Sequence, residues 1–397
     1  MHSHYEILII GGGTAGLTVA SQLASRIGGG AIGVVEPSTK HYYQPLWTLV
    51  GGGIFTKEES ARDEADFIPE GVTWIQEAAT SIDPEHRTVH TDVRGPITYD
   101  FLVVAAGIQL GWNRIPGLAE SVGKPGTGVV SNYSYETVSS TWEAIRTFRG
   151  GTAIFTEPVT PVKCGGAPQK IMYLAEEAFR TNGVREHSRV VFMNAKPTLF
   201  ASPYYIPGIE KVIRTRGMEA QLGQELVALR PDAREAVFKD AKTGAEQVLH
   251  YDMIHVTPPM SAPDFIKASP VANPDGWVEV DKGTLQQVRF PNVFSLGDCS
   301  NLPTSKTGAA IRKQAPVVVS NLLAVRAGGV PVAQYDGYTS CPVVTGRGKL
   351  IMAEFTYDKK PLESFPFDQR QERFSMYAVK AYMLPRIYWH GMLRGRI

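Results

Sequence analysis

Glu6-Ile7-Leu8-Ile9-Ile10-Gly11-Gly12-Gly13-Thr14-Ala15-Gly16 is the stretch that decides the fold. In residues 6–10 the glutamate is followed by an uninterrupted apolar run, Ile7-Leu8-Ile9-Ile10, the pattern of a parallel strand buried on both faces. Residues 17–26, after the glycines, read as a helix. Gly11 permits the tight turn out of the strand, and Gly13 lets the backbone approach a pyrophosphate. Gly16 allows helix and strand to pack closely, Thr14 and Ala15 belong to the same loop, and the N-terminus of the helix that follows faces the phosphate charge. A second strand over 31–35 ends in Glu36, twenty residues beyond Gly16. A carboxylate there can accept both hydroxyls of an adenosine ribose. A glycine turn with only a structural role would not explain an acid at the end of that strand. The order strand, loop, helix, strand, acid predicts a bound dinucleotide.

The chain has 397 residues, 43% hydrophobic and 20% charged, with a net charge of +1. That balance, without blocks of like charge, argues against a nucleic-acid partner. No run approaches the roughly 18 apolar residues of a membrane span. Met1-His2-Ser3-His4 leads directly into the first strand, which predicts no leader and residence in the cytoplasm. Three cysteines, Cys164, Cys299 and Cys341, are too few and too scattered for a disulfide framework or a zinc site. The nine histidines form no ligand-spaced cluster, so no metal is expected.

Two later segments choose between dinucleotides. Residues 99–106 (Y-D-F-L-V-V-A-A) followed by Gly107 resemble the strand that closes the FAD domain in two-dinucleotide-fold flavoproteins, with Ala106 where threonine is usual. Residues 291–298 (P-N-V-F-S-L-G-D) resemble the strand whose terminal Gly297-Asp298 reaches the ribityl and phosphate groups of the flavin. FAD is the predicted cofactor. Between these segments a strand over 151–156, a helix over 171–180 and a strand over 189–193 repeat the order of the first half, with another helix over 137–148. They predict a second Rossmann-like domain. Its loop, 157–168, reads E-P-V-T-P-V-K-C-G-G-A-P. Prolines lack N–H donors, and Glu157 would set an anion beside phosphates, so this loop is a poor pyrophosphate cradle. Electrons are therefore expected from a donor other than NAD(P)H.

The motifs T-P-V-K-C-G-G-A-P-Q-K (160–170), G-D-C-S-N-L-P-T-S-K-T (297–307) and Y-D-G-Y-T-S-C-P (335–342) resemble those of sulfide:quinone oxidoreductases. The similarity is to the branch that includes the mitochondrial enzyme and carries two redox cysteines. A third cysteine of other members, in a linker equivalent to 113–130, is absent here. The resemblance implies that Cys164 is the cysteine close to the flavin, able to attack its ring, and that Cys341 takes up sulfide and carries it as a persulfide. It also matches Gln44 and Ala79 to FAD contacts on the adenine side, and Lys306, Thr307 and Gly308 to contacts at the flavin end. Lys380 matches a lysine near the quinone head-group. On residue chemistry alone, Cys164 and Cys341 read more readily as buried small hydrophobes than as catalysts. Lys163 and Lys170 are expected to favour the Cys164 thiolate, and Cys299 is read as structural.

Residues 372–397 mix Phe, Tyr, Trp, Met and Leu with Arg373, Lys380, Arg386, Arg394 and Arg396. Such a stretch suits a helical segment lying in a membrane interface, divided in two at Pro385. A segment packed on its own core or on a second subunit is the competing reading, and a homodimer is among the candidate partners. The expected fold is α/β: two Rossmann-like dinucleotide-binding domains plus a C-terminal membrane-interacting helical segment. The expected division is an FAD domain in two parts (1–115 and 276–340), a second domain without a functional NAD loop (116–275) and a C-terminal region (341–397). The expected partners are hydrogen sulfide, a quinone, a small sulfur acceptor (sulfite or a thiol) and a membrane surface. In a bacterium that surface would be the cytoplasmic face of the inner membrane, with the protein bound peripherally (monotopic). The alternatives are a type II NADH:quinone oxidoreductase and a flavin-binding protein without turnover; reduction by NADH would separate the first.

Overall fold

The computed structural model describes residues 3–397; Met1 and His2, on which part of the expectation of no leader falls, lie outside the described residues. The apolar run becomes β1 (His4–Ile10), in which Ile7, Leu8 and Ile9 are fully buried. The glycine loop delivers the chain into α1 (Thr14–Ile27), followed by β2 (Ile32–Val35) parallel to β1. β3 (Thr73–Ile75) adds outside β2, and an antiparallel excursion, β4 (Ala79–Asp83) and β5 (Thr88–Thr91), returns to β6 (Pro96–Val104) beside β1. Sheet order is β3-β2-β1-β6-β5-β4.

A second sheet is wholly parallel. It contains β7 (Val129–Val130), then after α2 (Val138–Thr147) come β8 (Gly151–Glu157), α3 (Ala167–Thr181), β9 (Ser188–Asn194), β10 (Glu219–Leu222) and β11 (Met253–His255), in the order β7-β11-β8-β9-β10. All its central strands end in buried positions, as strands covered on both faces must. Three antiparallel strands over 224–250, not foreseen from the sequence, hang from this unit. The chain then rejoins the first sheet through β12 (Val293–Ser295), parallel to β6, and enters the long α4 (Gly308–Arg326).

Cys341 lies on a hairpin of β13 (Thr339–Gly346) and β14 (Lys349–Phe355), directly opposite Ala353. The last segment departs from its sequence reading. α5 (Phe374–Ala378), a π-helical turn (Val379–Met383) and α6 (Leu384–His390) run on without a break at Pro385. The proline falls in the first turn of α6, where no N–H is needed. The irregularity is the π turn before it, a feature common at functional sites. Several large apolar side chains of the segment are core: Met376, Tyr377, Tyr388, Trp389, Met392 and Leu393 are buried. Phe374 (70% exposed), Tyr382 (55%) and Met383 (49%) face outward. Among the described residues no helix is long and apolar enough to cross a membrane.

β1 is the strand on which both halves of the first sheet depend. Truncating Leu8 to alanine is expected to lower unfolding free energy by about 3 kcal/mol in urea titration; a loss below about 1 kcal/mol would show the site collapsing without cost.

Candidate active site: a dithiol against a dinucleotide cradle

The cradle is built by close approaches that only glycine permits. Gly11 has φ +101°, and a Cβ there would run into the Ala105 carbonyl and stand 3.1 Å from Ala106 Cα. A Cβ on Gly16 would strike the Gly11 carbonyl. A Cβ on Gly13 would meet nothing within 4 Å, so the loop faces open space where a phosphate belongs. α1 begins there without a side-chain cap or an acid in its first turn, leaving its N–H groups free for an anion. Glu36 accepts from Gly12 N at 2.8 Å and from Ser38 N at 2.7 Å, and burial raises its carboxyl above the usual range. These features fit the diphosphate and ribose of FAD.

The other expected FAD residues converge on the same edge. Gly107, with φ +73°, likewise faces open space, and a Cβ on Gly297 would lie 3.3 Å from Ala15 Cβ. Burial raises the Asp298 carboxyl, against the pull of the Lys306 and Lys163 charges. Lys306 Nζ donates to Ser300 O at 3.0 Å and sits 4.1 Å over Trp277. Thr307 caps α4 by accepting from Ala310 N, and Gly308 opens that helix. Ala79 starts β4, four residues past Ile75, whose carbonyl accepts from Glu36 N. Gln44 departs from its expected place on the adenine side. Its Oε1 accepts from Lys163 Nζ at 2.8 Å, which puts it at the cysteine end.

The two cysteines, 177 positions apart, meet: Cys164 Sγ and Cys341 Sγ are 3.3 Å from each other. One backbone link and one side-chain link set the pair beside the cradle. Lys163 bridges to Lys306 in parallel, and Thr307 Oγ1 bonds Thr339 Oγ1 at 2.9 Å, two residues before Cys341. Cys164 holds φ +89°, a left-handed backbone costly for a side-chain-bearing residue and concentrated at functional sites. Gly166 makes room for the partner, since a Cβ there would come 2.6 Å from Cys341 Sγ.

Charge polarises the pair. Lys170 Nζ donates to Cys164 Sγ at 3.2 Å. The Cys341 hydrogen bond, then the Lys170 ammonium and the Lys380 charge, hold Cys164 well below the usual thiol range despite its burial. Cys341 is pushed well above it by its hydrogen bond to Cys164 and by burial. One negative charge is thus shared unequally, with the thiolate on Cys164. Lys163 was expected to help and does not touch the sulfur; its Nζ turns to Gln44 and to Tyr133 O, and burial lowers it to about 8. Lys380 takes that part instead. The π turn points it inward, where Nζ donates to Pro45 O at 2.9 Å, and burial with the repulsion of Lys170 lowers it to about 7. Cys299 is buried beside Val104 O at 3.4 Å, and burial raises its thiol.

Where a second nucleotide loop would lie, Glu157 ends β8 and is held by Lys196 at 2.5 Å, a pairing that sequence reading missed because the partner is 39 residues away. Beside Gly165 opens a cavity of about 180 Å³, lined among others by Glu157, Lys196, Phe200, Lys306 and Lys359. Among the described residues no group of His, Cys, Asp and Glu could hold a metal ion.

A flavin cradle abutting a polarised dithiol defines a flavin-dependent oxidoreductase with a redox-active cysteine pair. Residues 5–140 match the family model described as pyridine nucleotide-disulphide oxidoreductase. The chain is 48% identical over 394 residues to the mitochondrial sulfide:quinone oxidoreductase of Mus musculus, covering 99% of this chain and 87% of that protein. The mitochondrial enzyme of Dictyostelium discoideum is 49% identical over 394 residues, covering 98% and 86%. The crystal structure of the Aquifex aeolicus sulfide:quinone oxidoreductase shares the fold with a TM-score of 0.84 at 19% identity, covering 99% of this chain and 92% of that one. The chain belongs to the sulfide:quinone oxidoreductase family. FAD is its cofactor.

Replacing Lys170 with methionine removes the cation at Cys164 Sγ and should raise that thiol toward its ordinary range. Alkylation of Cys164 by iodoacetamide at neutral pH is expected to slow by about tenfold. An unchanged rate would remove Lys170 from the account.

Proposed function

We propose that this chain oxidises hydrogen sulfide at the Cys164–Cys341 pair and passes two electrons through FAD to a quinone. The observation that carries the reading is the 3.3 Å approach of the two sulfurs with Lys170 at 3.2 Å from one of them. Hydrosulfide attacks Cys341 Sγ of the oxidised pair. The new S–S bond makes Cys341 a persulfide while the Cys164–Cys341 bond breaks, its electron pair leaving on Cys164. The polarisation explains the direction, because the thiol with the lower pKa is the better leaving group. Lys170 stabilises the released thiolate.

The outer sulfur of the persulfide then passes to a small nucleophilic acceptor, sulfite or a thiolate, leaving Cys341 as a thiolate. The cavity beside Gly165, with Lys196, Lys306 and Lys359 on its walls, supports an anionic acceptor. Bound FAD supplies the two-electron sink that closing the cysteine pair again requires, and quinone restores it. Lys380, a buried cation between the dithiol and the exposed Tyr382 and Met383, is assigned to stabilise the anionic oxygen of the reduced quinone. Gly11, Gly13, Thr14, Ala15, Gly16, Glu36, Ala79, Ala106, Gly107, Gly297, Asp298, Lys306, Thr307 and Gly308 are assigned to FAD, together with Gln44 at the flavin end. The domain division at 115, 275 and 340 belongs to the same reading.

Quinone is a lipid-phase substrate, and the exposed Phe374, Tyr382 and Met383 support contact of this end with a membrane interface. In a bacterial host that would be the cytoplasmic face of the inner membrane.

Anaerobic sulfide should bleach the flavin absorbance, and a soluble quinone should restore it. Cys164→Ala and Cys341→Ala chains are expected to hold FAD yet lose the sulfide-driven bleaching by at least about a hundredfold in rate; retained bleaching in either contradicts the assignment. Lys380 is charged below about 7 and neutral above it. The quinone-dependent step should therefore slow as pH rises through about 7, and Lys380→Met should abolish that fall; a wild-type profile flat across this range would remove the lysine from the step.

A further inference from the structure

The C-terminal segment reaches the dinucleotide loop through a buried chain of hydrogen bonds that the reaction above does not use. Tyr388, on α6, places its OH 2.8 Å from Thr14 Oγ1, in the first turn of α1. The same OH is 2.5 Å from His41 Nε2, and His41 Nδ1 is 2.9 Å from Glu64 Oε2. Tyr388, His41 and Glu64 are 3%, 3% and 1% exposed. The other oxygen of Glu64 is buried without a hydrogen-bond partner among the described residues, and a Cβ on Gly12 would run into it. The chain Thr14–Tyr388–His41–Glu64 thus begins and ends at the glycine loop.

Packing holds the relay in place. The Trp389 ring stands edge-on to His41 at 5.7 Å and tilted against Phe67 at 5.1 Å; Arg62 covers Trp389 and Arg394 covers Phe67. Farther along, Ser21 Oγ donates to Leu393 O at 2.7 Å and Gln22 Nε2 to Ile397 O at 3.2 Å, so residues 384–397 lie along α1 itself. A buried polar network of this kind persists only when its members are satisfied together. When the His41 ring carries both protons, Nδ1 donating to the Glu64 carboxylate and Nε2 to Tyr388, Tyr388 donates to Thr14 and the Thr14 hydroxyl proton is left free for a phosphate oxygen. Thr14 is the residue where sequence and fold set that phosphate.

We propose that Tyr388 and His41 are positioning residues for FAD. The C-terminal segment clasps the dinucleotide loop and orients Thr14, and this contact governs how fast the cofactor leaves. The inference rests on the assignment of FAD to residues 11–16 and goes beyond it, since it makes the last helix of the chain part of cofactor retention.

The test uses the full-length holoprotein and the rise of flavin fluorescence as FAD is released after dilution. Tyr388→Phe keeps the ring and removes one hydroxyl. It is expected to speed release about tenfold, the effect of one buried hydrogen bond to an oriented loop. The melting temperature of the FAD-free protein should be unchanged by the substitution, while that of the holoprotein falls; a purely structural role would lower both. In a Thr14→Val background, Tyr388→Phe should add nothing further, because it acts through Thr14. His41→Gln, which retains a donor toward Tyr388, should release FAD at a rate between wild type and Tyr388→Phe, and provides the same test if the phenylalanine chain does not fold. Release from Tyr388→Phe within twofold of wild type overturns the proposal, as does a full tenfold effect persisting in Thr14→Val. A wild-type chain that binds no FAD would overturn the cofactor assignment as well; a wild type that holds FAD beside a Tyr388→Phe chain that releases it no faster sinks the clasp alone.

Discussion

Everything chemical in this molecule depends on two sulfurs from distant parts of the chain sharing one small volume. Cys164 stands in the loop leading to α3 and Cys341 on a hairpin strand, and their 3.3 Å approach requires three separate concessions from the fold. Gly166 gives up its side chain to admit the Cys341 sulfur. Cys164 accepts a left-handed backbone. The pairs Lys163–Lys306 and Thr307–Thr339 stitch both cysteine-bearing segments to the strand-helix junction at the cradle. Strain at a reactive residue persists only where the surroundings over-determine it, and here glycine space and backbone pairing do so.

Electrostatics then makes two identical side chains unlike. Lys170 donates to the Cys164 sulfur, and the inward turn of Lys380 adds a second positive charge that favours the same thiolate. The result is a thiolate favoured at Cys164 and a thiol at Cys341, an asymmetry that two cysteines in equivalent surroundings could not support and on which the proposed leaving-group and sulfur-carrier roles rest. Burial of Lys380 next to Lys170 costs that lysine part of its basicity and lowers it to about 7. In the second parallel sheet Glu157, which ends β8 and is tied to Lys196, and Pro161 in the loop that follows wall a cavity beside Gly165.

Much of this was legible in the sequence because it is local. The strand, glycine loop, helix, second strand and Glu36 lie within 36 residues, and each is set by short-range rules of turn and packing. The repeated strand-helix order of the middle third was equally plain. What stayed hidden depends on contacts between remote residues or on irregular backbone. A helical reading of 372–397 gives no sign of a π turn, so neither the inward aim of Lys380 nor the burial of Tyr388 and Trp389 followed from it. Lys163, adjacent in sequence to Cys164, looked a better partner than it is, because its ammonium is held by Gln44 Oε1 and Tyr133 O, contacts that bring in residues 119 and 30 positions away. Alternating strands such as 224–230 and 235–240 are half-exposed and mixed in polarity, and their pattern was lost among the surrounding charged residues.

The most direct measurement is the location of the sulfur itself. Anaerobic treatment of the holoprotein with one equivalent of sulfide, rapid alkylation and peptide mass spectrometry should find a single added sulfur on the peptide bearing Cys341, with Cys164 alkylated as a plain thiol. An added sulfur on Cys164 with Cys341 unmodified, or on neither, would contradict the polarised dithiol on which the account stands.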